Sequence, residues 1–378
     1  MMAVSAQHPV AVGMTAYIRL RLRPRVFGLE RLCIEETTIV APNHRSDYDV
    51  PVLVAALYHR WAEAVARGLP WPTFATDDHV LQRGFLAGYP ENIPVRLRQL
   101  LWPINVGGVL ERNLGCVAVR EPTRMRLAEV LRADPRMALD GQLPPELQDA
   151  LARRAAERRR PAPEHAGDVL HGEYADLLWT PVERNDVACH GEVWRDHLHA
   201  AVRDFGQLVQ TLESGGLVVI YPEGELSPDG RIGPLKPGLA SLARRGKAKW
   251  VQPVATCYDP LAGPRPRVYV SIAPPIVPQP GRLLGDVSTA LRRATPLTAG
   301  QIVAWHLSRG ARSPAELDTI ASDWIGRSRA DGRPIEPALD GPGRHEILRA
   351  AHRRALRRRA DDPVIHRLAA ELDDAHSQ

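Results

Sequence analysis

The sequence predicts an α/β fold with a mostly parallel central sheet flanked by helices. Short apolar, β-branched runs recur at residues 37–41, 116–119, 217–221, 251–258 and 268–272. Segments with helical spacing separate them, and strands alternating with helices are the pattern of parallel sheets. Three of the runs lie beside unusually polar or glycine-bearing loops, where such sheets usually carry their chemistry.

Taken in order, TTIVA at 37–41 is a strand closed by Pro42. A polar run, NHRSDYD at 43–49, leads into a helix over about 50–65, with Pro51 in its first turn. Residues 73–76 suit another strand, and 96–112 a helix broken at Pro103. Residues 116–119 read as strand and 123–131 as helix. Near Asp134 the composition shifts to Arg, Ala, Pro, Glu and His. Residues 134–192 therefore read as an insertion, part helix and part mobile loop. A helix over 193–214 stops at Gly215-Gly216. Residues 217–221 form the clearest strand, ending at Pro222, and 251–258 and 268–272 are the last two. Beyond Leu283 only short helices are expected, ending in the arginine-rich run 344–359. The domain reading is a basic amphipathic segment at 1–34, a main domain at 35–280 containing the insertion, and a helical extension at 281–378.

The chain has 378 residues and a formal net charge of +5, a modest bias toward phosphate-bearing or anionic partners. Lysine occurs only at 236, 247 and 249, so arginine abundance is a compositional habit. Aromatics make up 5% with no stacking platform, so nucleic acid is not expected as a partner. The cysteines, at 33, 116, 189 and 257, have no metal-ligand spacing, and no metal site or resident cofactor is expected. Residues 1–13 lack the pattern of a secretory signal. No apolar run approaches the roughly 20 residues of a spanning helix. Membrane contact is thus expected to be peripheral, on the cytoplasmic face. Residues 17–23 alternate apolar and basic side chains, suited equally to anionic headgroups or to the core. Residues 86–110, with Trp102 and scattered arginines, are a second candidate.

Four loops and strands, in order, concentrate the chemistry: Asn43-His44-Arg45-Ser46-Asp47-Tyr48-Asp49, then GCVAVR at 115–120, then Tyr221-Pro222-Glu223-Gly224-Glu225, then Val251-Gln252-Pro253-Val254. His-x4-Asp preceded by Asn and carrying Ser two residues on, with aromatic-Pro-Glu-Gly far downstream, resembles the glycerolphosphate and lysophosphatidate acyltransferase family. The similarity covers roughly 35–133 and 200–275, including LKPGLASLARRGK at 235–247. The resemblance implies transfer of a fatty acyl group from acyl-CoA or acyl-carrier protein to a lysophosphatidate-like hydroxyl. It makes His44 and Asp49 catalytic, and Asn43, Ser46, Arg120, Glu223, Gly224, Lys236 and Pro253 substrate-binding. Arg120 is then the arginine that contacts acceptor phosphate.

The chemistry accounts for these residue types. Attack on a thioester needs the acceptor hydroxyl deprotonated, and a histidine titrating near neutrality suits that role. A carboxylate on its other ring nitrogen fixes the tautomer and stabilises the imidazolium. On one helix, five residues would set His44 and Asp49 about 140° apart. The pairing therefore requires His44 in the loop before the helix. Backbone N–H groups near the helix start are expected as oxyanion donors. Read singly, Asp47 or Asp49 also suits a helix cap, Arg120 a solvated strand end and Pro253 a bulge.

Three features depart from the family's pattern. Glu225-Leu226 stand where Thr-Arg usually follows Glu-Gly, so Arg231 or Lys236 substitutes, or the acceptor is not a simple lysophosphatidate. The gap from Arg120 to Glu223 is long, and the C-terminal extension is unmatched. A non-catalytic membrane- or partner-binding protein on the same fold is the competing reading.

Overall fold

The computed structural model describes the chain except residues 1–3, 35, 89–93, 187–190, 228, 312, 359–361 and 378. Cys189 and Arg359, both named above, lie outside the described residues. In chain order come α1 (Val4–Arg21), β1 (Arg23–Phe27), β2 (Thr38–Pro42), α2 (Asp49–Ala66), β3 (Thr73–Asp77), α3 (Phe85–Gly88), α4 (Val95–Leu101), α5 (Gly107–Leu114) and β4 (Cys116–Val119). Next are β5 (Arg124–Arg126), α6 (Leu127–Ala133), α7 (Pro145–Glu157), α8 (Ala175–Leu178), β6 (Pro181–Glu183), α9 (Gly191–Glu213), β7 (Leu217–Val219) and α10 (Gly238–Arg245). The chain closes with β8 (Trp250–Asp259), β9 (Arg267–Ile272), α11 (Leu283–Ala294), α12 (Ala299–Ser308), α13 (Leu317–Ala330), α14 (Arg344–Leu356) and α15 (Pro363–Ala375). It divides into two compact units, Met1–Thr73 with Val209–Gln378, and Phe74–Leu208.

The first unit holds strands in the order β1-β9-β8-β2-β7. All these pairings are parallel except β8 with β9. Every residue of β2 is buried, as its unbroken apolar run requires of a strand covered on both faces. Residues 4–34 are built into this unit. Helix α1 buries Ala11, Thr15 and Ile18 and packs on α2, while β1 pairs with β9. The sequence hides β1 because RPRVF carries the proline and arginines that protect a sheet edge.

Pro253 sits inside β8, opposite Ala41 of β2. On its other side, the Val251–Ile276 bridge and the Val254–Ile272 pair enclose two residues on β8 and three on the opposing chain. That mismatch is a bulge, which accommodates a proline lacking an N–H in an interior strand.

The C-terminal helices pack round α12, with Ile302, Val303, Trp324, Leu368 and Leu372 in one buried cluster. Thr298 and Gln301 form a reciprocal capping box at its start. The end of β8 is tied to this helix by Asp259, which accepts from the N–H groups of Leu261 (2.8 Å), Ala262 (2.9 Å) and Gly300 (2.9 Å). A Cβ at Gly300 would collide with that carboxylate, so only glycine fits. On α14 the arginines flank a buried stripe of Leu348, Ala351, His352 and Ala355.

Burial, and then the neighbouring Glu336, push the Asp259 carboxyl up to about 6. Its folded value therefore lies above the unfolded one of about 3.9. Between about pH 4 and pH 6 the native state holds a proton that the unfolded chain lacks, so this contribution to stability falls as pH rises through that window. Urea unfolding of wild type and Asp259→Asn at pH 5 and pH 7 reads it directly. The wild-type advantage is expected to be about 1 kcal/mol larger at pH 5. An equal difference at both pH values would show that Asp259 does not titrate there.

The second unit pairs β3 with β4 in parallel and β5 with β6 antiparallel. Residues 124–126, expected as helix, are strand β5 because residues 181–183 supply a partner that no local window contains. The stretch expected as an insertion, part helix and part mobile loop, contributes to a packed core. Met125, Leu131, Leu151, Tyr174, Trp179 and Trp194 share a buried core. Its arginines take part too, as Arg154 grips Asp176 through two bonds of 3.0 and 2.8 Å.

Candidate active site

The loop between β2 and α2 is shaped by one side chain. Asn43 is fully buried and bonds β8 in both directions, donating to the Thr256 carbonyl (3.1 Å) and accepting from the Thr256 N–H (2.6 Å). Its own N–H donates to the Val254 carbonyl (3.2 Å). Held this way, the chain turns out of the sheet with His44 in the loop and Asp49 as the first residue of α2.

His44 Nδ1 lies 3.0 Å from Asp49 Oδ2. That oxygen also accepts from the N–H groups of Arg45 (2.6 Å) and Ser46 (2.9 Å). Oδ1 accepts from the Tyr258 hydroxyl (2.7 Å). Asp49 is 1% exposed, so this set of donors replaces its hydration. It is no ordinary helix cap, because its backbone partners precede it. Burial, and then the charge of Asp49, push the Tyr258 phenol well above its usual range, which keeps it an O–H donor. Ser46 closes the turn, its Oγ accepting from the Tyr48 N–H at 3.3 Å.

Glu223 braces the other side. Its Oε1 accepts from the His44 N–H (2.8 Å), and its Oε2 accepts from the Gly233 N–H (2.8 Å) and the Ser227 hydroxyl. The Ser227 N–H returns a bond to the His44 carbonyl (2.8 Å). Gly224 follows with φ +73°, and a Cβ there would press on the Lys236 stem. Lys236 donates its N–H to the Pro222 carbonyl at 2.7 Å. The Tyr221 ring lies 4.5 Å from that of His44, and its buried hydroxyl has no hydrogen-bond partner among the described residues.

The structure thus brings together Asn43, His44, Ser46, Asp49, Glu223, Gly224 and Lys236, with Pro253 in the strand beside them. Arg120 belongs to the second unit, where Asp204 and Asp78 (3.4 Å) take its guanidinium. Burial first, then Asp77 and Glu129, push Asp78 up to about 6. Of the amides near the helix start, those of Arg45 and Ser46 point at Asp49, and the Asp49 N–H bonds the Ser46 carbonyl. Sequence reasoning missed Tyr258 and Ser227. Tyr258, the penultimate residue of the fourth block's strand, lies on the same side as Thr256 and Val254, two and four residues before it, which is the one sign that it faces the dyad.

A pre-oriented His–Asp pair, its carboxylate buried, stands at the end of a mostly parallel sheet. The Acyltransferase family model matches residues 179–257, which take in the third and fourth blocks. No curated protein sequence matches the chain. Among solved structures, the 1-acyl-sn-glycerophosphate acyltransferase PlsC of Thermotoga maritima is similar, with a TM-score of 0.39 and 15% identity over 76% of this chain and 79% of that one.

Proposed function

We propose that this acyltransferase moves a fatty acyl group from a thioester, acyl-CoA or acyl-carrier protein, to the hydroxyl of a lysophospholipid-like acceptor. The His44–Asp49 pair carries the reading, since a buried carboxylate with four donors fixes the ring and leaves Nε2 for the substrate. Nε2 takes the acceptor's proton as its oxygen attacks the thioester carbonyl. The tetrahedral intermediate collapses, the C–S bond breaks, and the imidazolium returns the proton to the departing thiolate. Atoms and charges balance without a covalent enzyme intermediate.

Two observations favour an acceptor other than simple lysophosphatidate. Leu226 stands exposed where the family's third block usually has arginine, and the Arg120 guanidinium already meets two carboxylates. Among the described residues no helix is long and apolar enough to cross a membrane. Peripheral contact is supported in the first unit by exposed Val12, Tyr17 and Leu20 beside Arg19 and Arg21 of α1. In the second unit Leu97 and Leu100 stand exposed on α4, and Ile104 just after it.

The experiment is transfer of labelled acyl groups by purified wild type and His44→Ala, with both donor classes and lysolipids with and without phosphate. Transfer to a phosphate-free or diester headgroup, lost in the variant, is expected. Preference for lysophosphatidate would overturn the acceptor assignment. No transfer by wild type to any acceptor would favour a binding protein on this fold.

A further inference from the structure

The C-terminal extension reaches the catalytic loop from behind. Glu371 of α15 is 4% exposed, and its Oε1 lies 3.7 Å from Arg45 Nε. Its Oε2 accepts from Gln301 Nε2 of α12 at 3.1 Å. Arg45, 7% exposed, also donates from Nη1 to the Arg231 carbonyl at 2.6 Å. Arg45 is thus clamped at its side chain, and its backbone N–H is the 2.6 Å donor to Asp49 Oδ2. One turn on, Asp374 accepts from the Ile232 N–H (2.9 Å) and pairs with Arg292 (3.1 Å), which donates to the Ile232 carbonyl (3.2 Å). Gly230, φ +83°, lets the same loop press against the Arg367 carbonyl of α15, where a Cβ would clash. Two residues of one helix therefore fasten both loops that frame the dyad.

We infer that Glu371 is a positioning residue for acyl transfer, holding Arg45 so that its N–H orients Asp49 toward His44. A buried guanidinium without its carboxylate is costly to leave in place, so a neutral residue at 371 lets Arg45 leave and the loop relax. The effect falls on Asp49's orientation, hence on kcat rather than on substrate affinity.

The inference rests on the acyl-transfer reading, and Glu371→Gln is the near-isosteric test. Expected are a roughly tenfold loss of kcat, KM values within about twofold, and at least tenfold faster hydrogen exchange at the Arg45 amide. Arg45→Met is expected to cost as much, and the double variant no more than either, because both cut one link. Unchanged kcat and Arg45 exchange in a folded Glu371→Gln protein would overturn the inference, as would effects that multiply in the double variant. Should Glu371→Gln not fold, Arg45→Lys reads the same link, since an ammonium cannot reach both Glu371 and the Arg231 carbonyl; unchanged kcat there would overturn it equally. A wild type without transferase activity would defeat the function reading while the exchange measurement still tests the clamp.

Discussion

His44→Ala is expected to lower acyl transfer by about 1,000-fold or more, while the protein melts within a few degrees of wild type. General-base help is worth roughly 100- to 10,000-fold. Nothing else beside Asp49 replaces it: Tyr258 and Tyr221 are held well above their usual range by burial and, next, by Asp49, so neither phenol serves as a base near neutrality. The fold should survive because Asp49 keeps its bonds from Arg45, Ser46 and Tyr258 when the imidazole is gone. His44 is itself only half-buried. Initial rates with a labelled thioester, beside a circular-dichroism melt, check both parts. Residual activity above a tenth of wild type would remove His44 from the chemistry.

Asp49→Asn is expected to lower kcat roughly 100- to 1,000-fold with little change in KM. The direction of each bond sets this size. Three donors converge on Oδ2, from His44, Arg45 and Ser46, whereas Oδ1 meets only the Tyr258 hydroxyl. An asparagine fits with its carbonyl toward the three and its amide toward Tyr258, which can turn its O–H and accept. The loop and the tautomer then persist, and what disappears is the negative charge that steadies the imidazolium. Steady-state kcat and KM separate this from a packing defect. A loss below tenfold would make Asp49 a fastener of the loop and no more.

Most strands of the sheet and the loop that holds the dyad were legible because their signals are local. TTIVA, GLVVI and the long apolar run after Trp250 declare buried strands, and the five-residue spacing forced His44 into a loop, where it lies. What escaped depends on distant partners. β1 is a strand only because β9 lies beside it, and β5 only because β6 does. That the Arg45 and Ser46 amides turn to Asp49 was hidden because the sequence does not reveal that Asp49 reaches backward. Arg45 looked like one arginine among 46, since neither Glu371 nor the Arg231 carbonyl is near it in sequence.

The Asn43 bonds to Thr256 span 213 positions, and the Glu223 bond to His44 spans 179. During synthesis, then, β2 and the histidine loop leave the ribosome long before their distant partners exist. Residues 74–208 emerge in between and carry their own core. Contacts of such separation are late to form. The middle of the protein should therefore be born folded while its two ends wait for one another. In nascent chains arrested after about residue 240, protease should spare residues 74–208 yet cut near His44, and protection at both places would refute that order. The loop that carries His44 would then gain its full set of bonds only once Glu223, Thr256, Tyr258 and Glu371 have emerged.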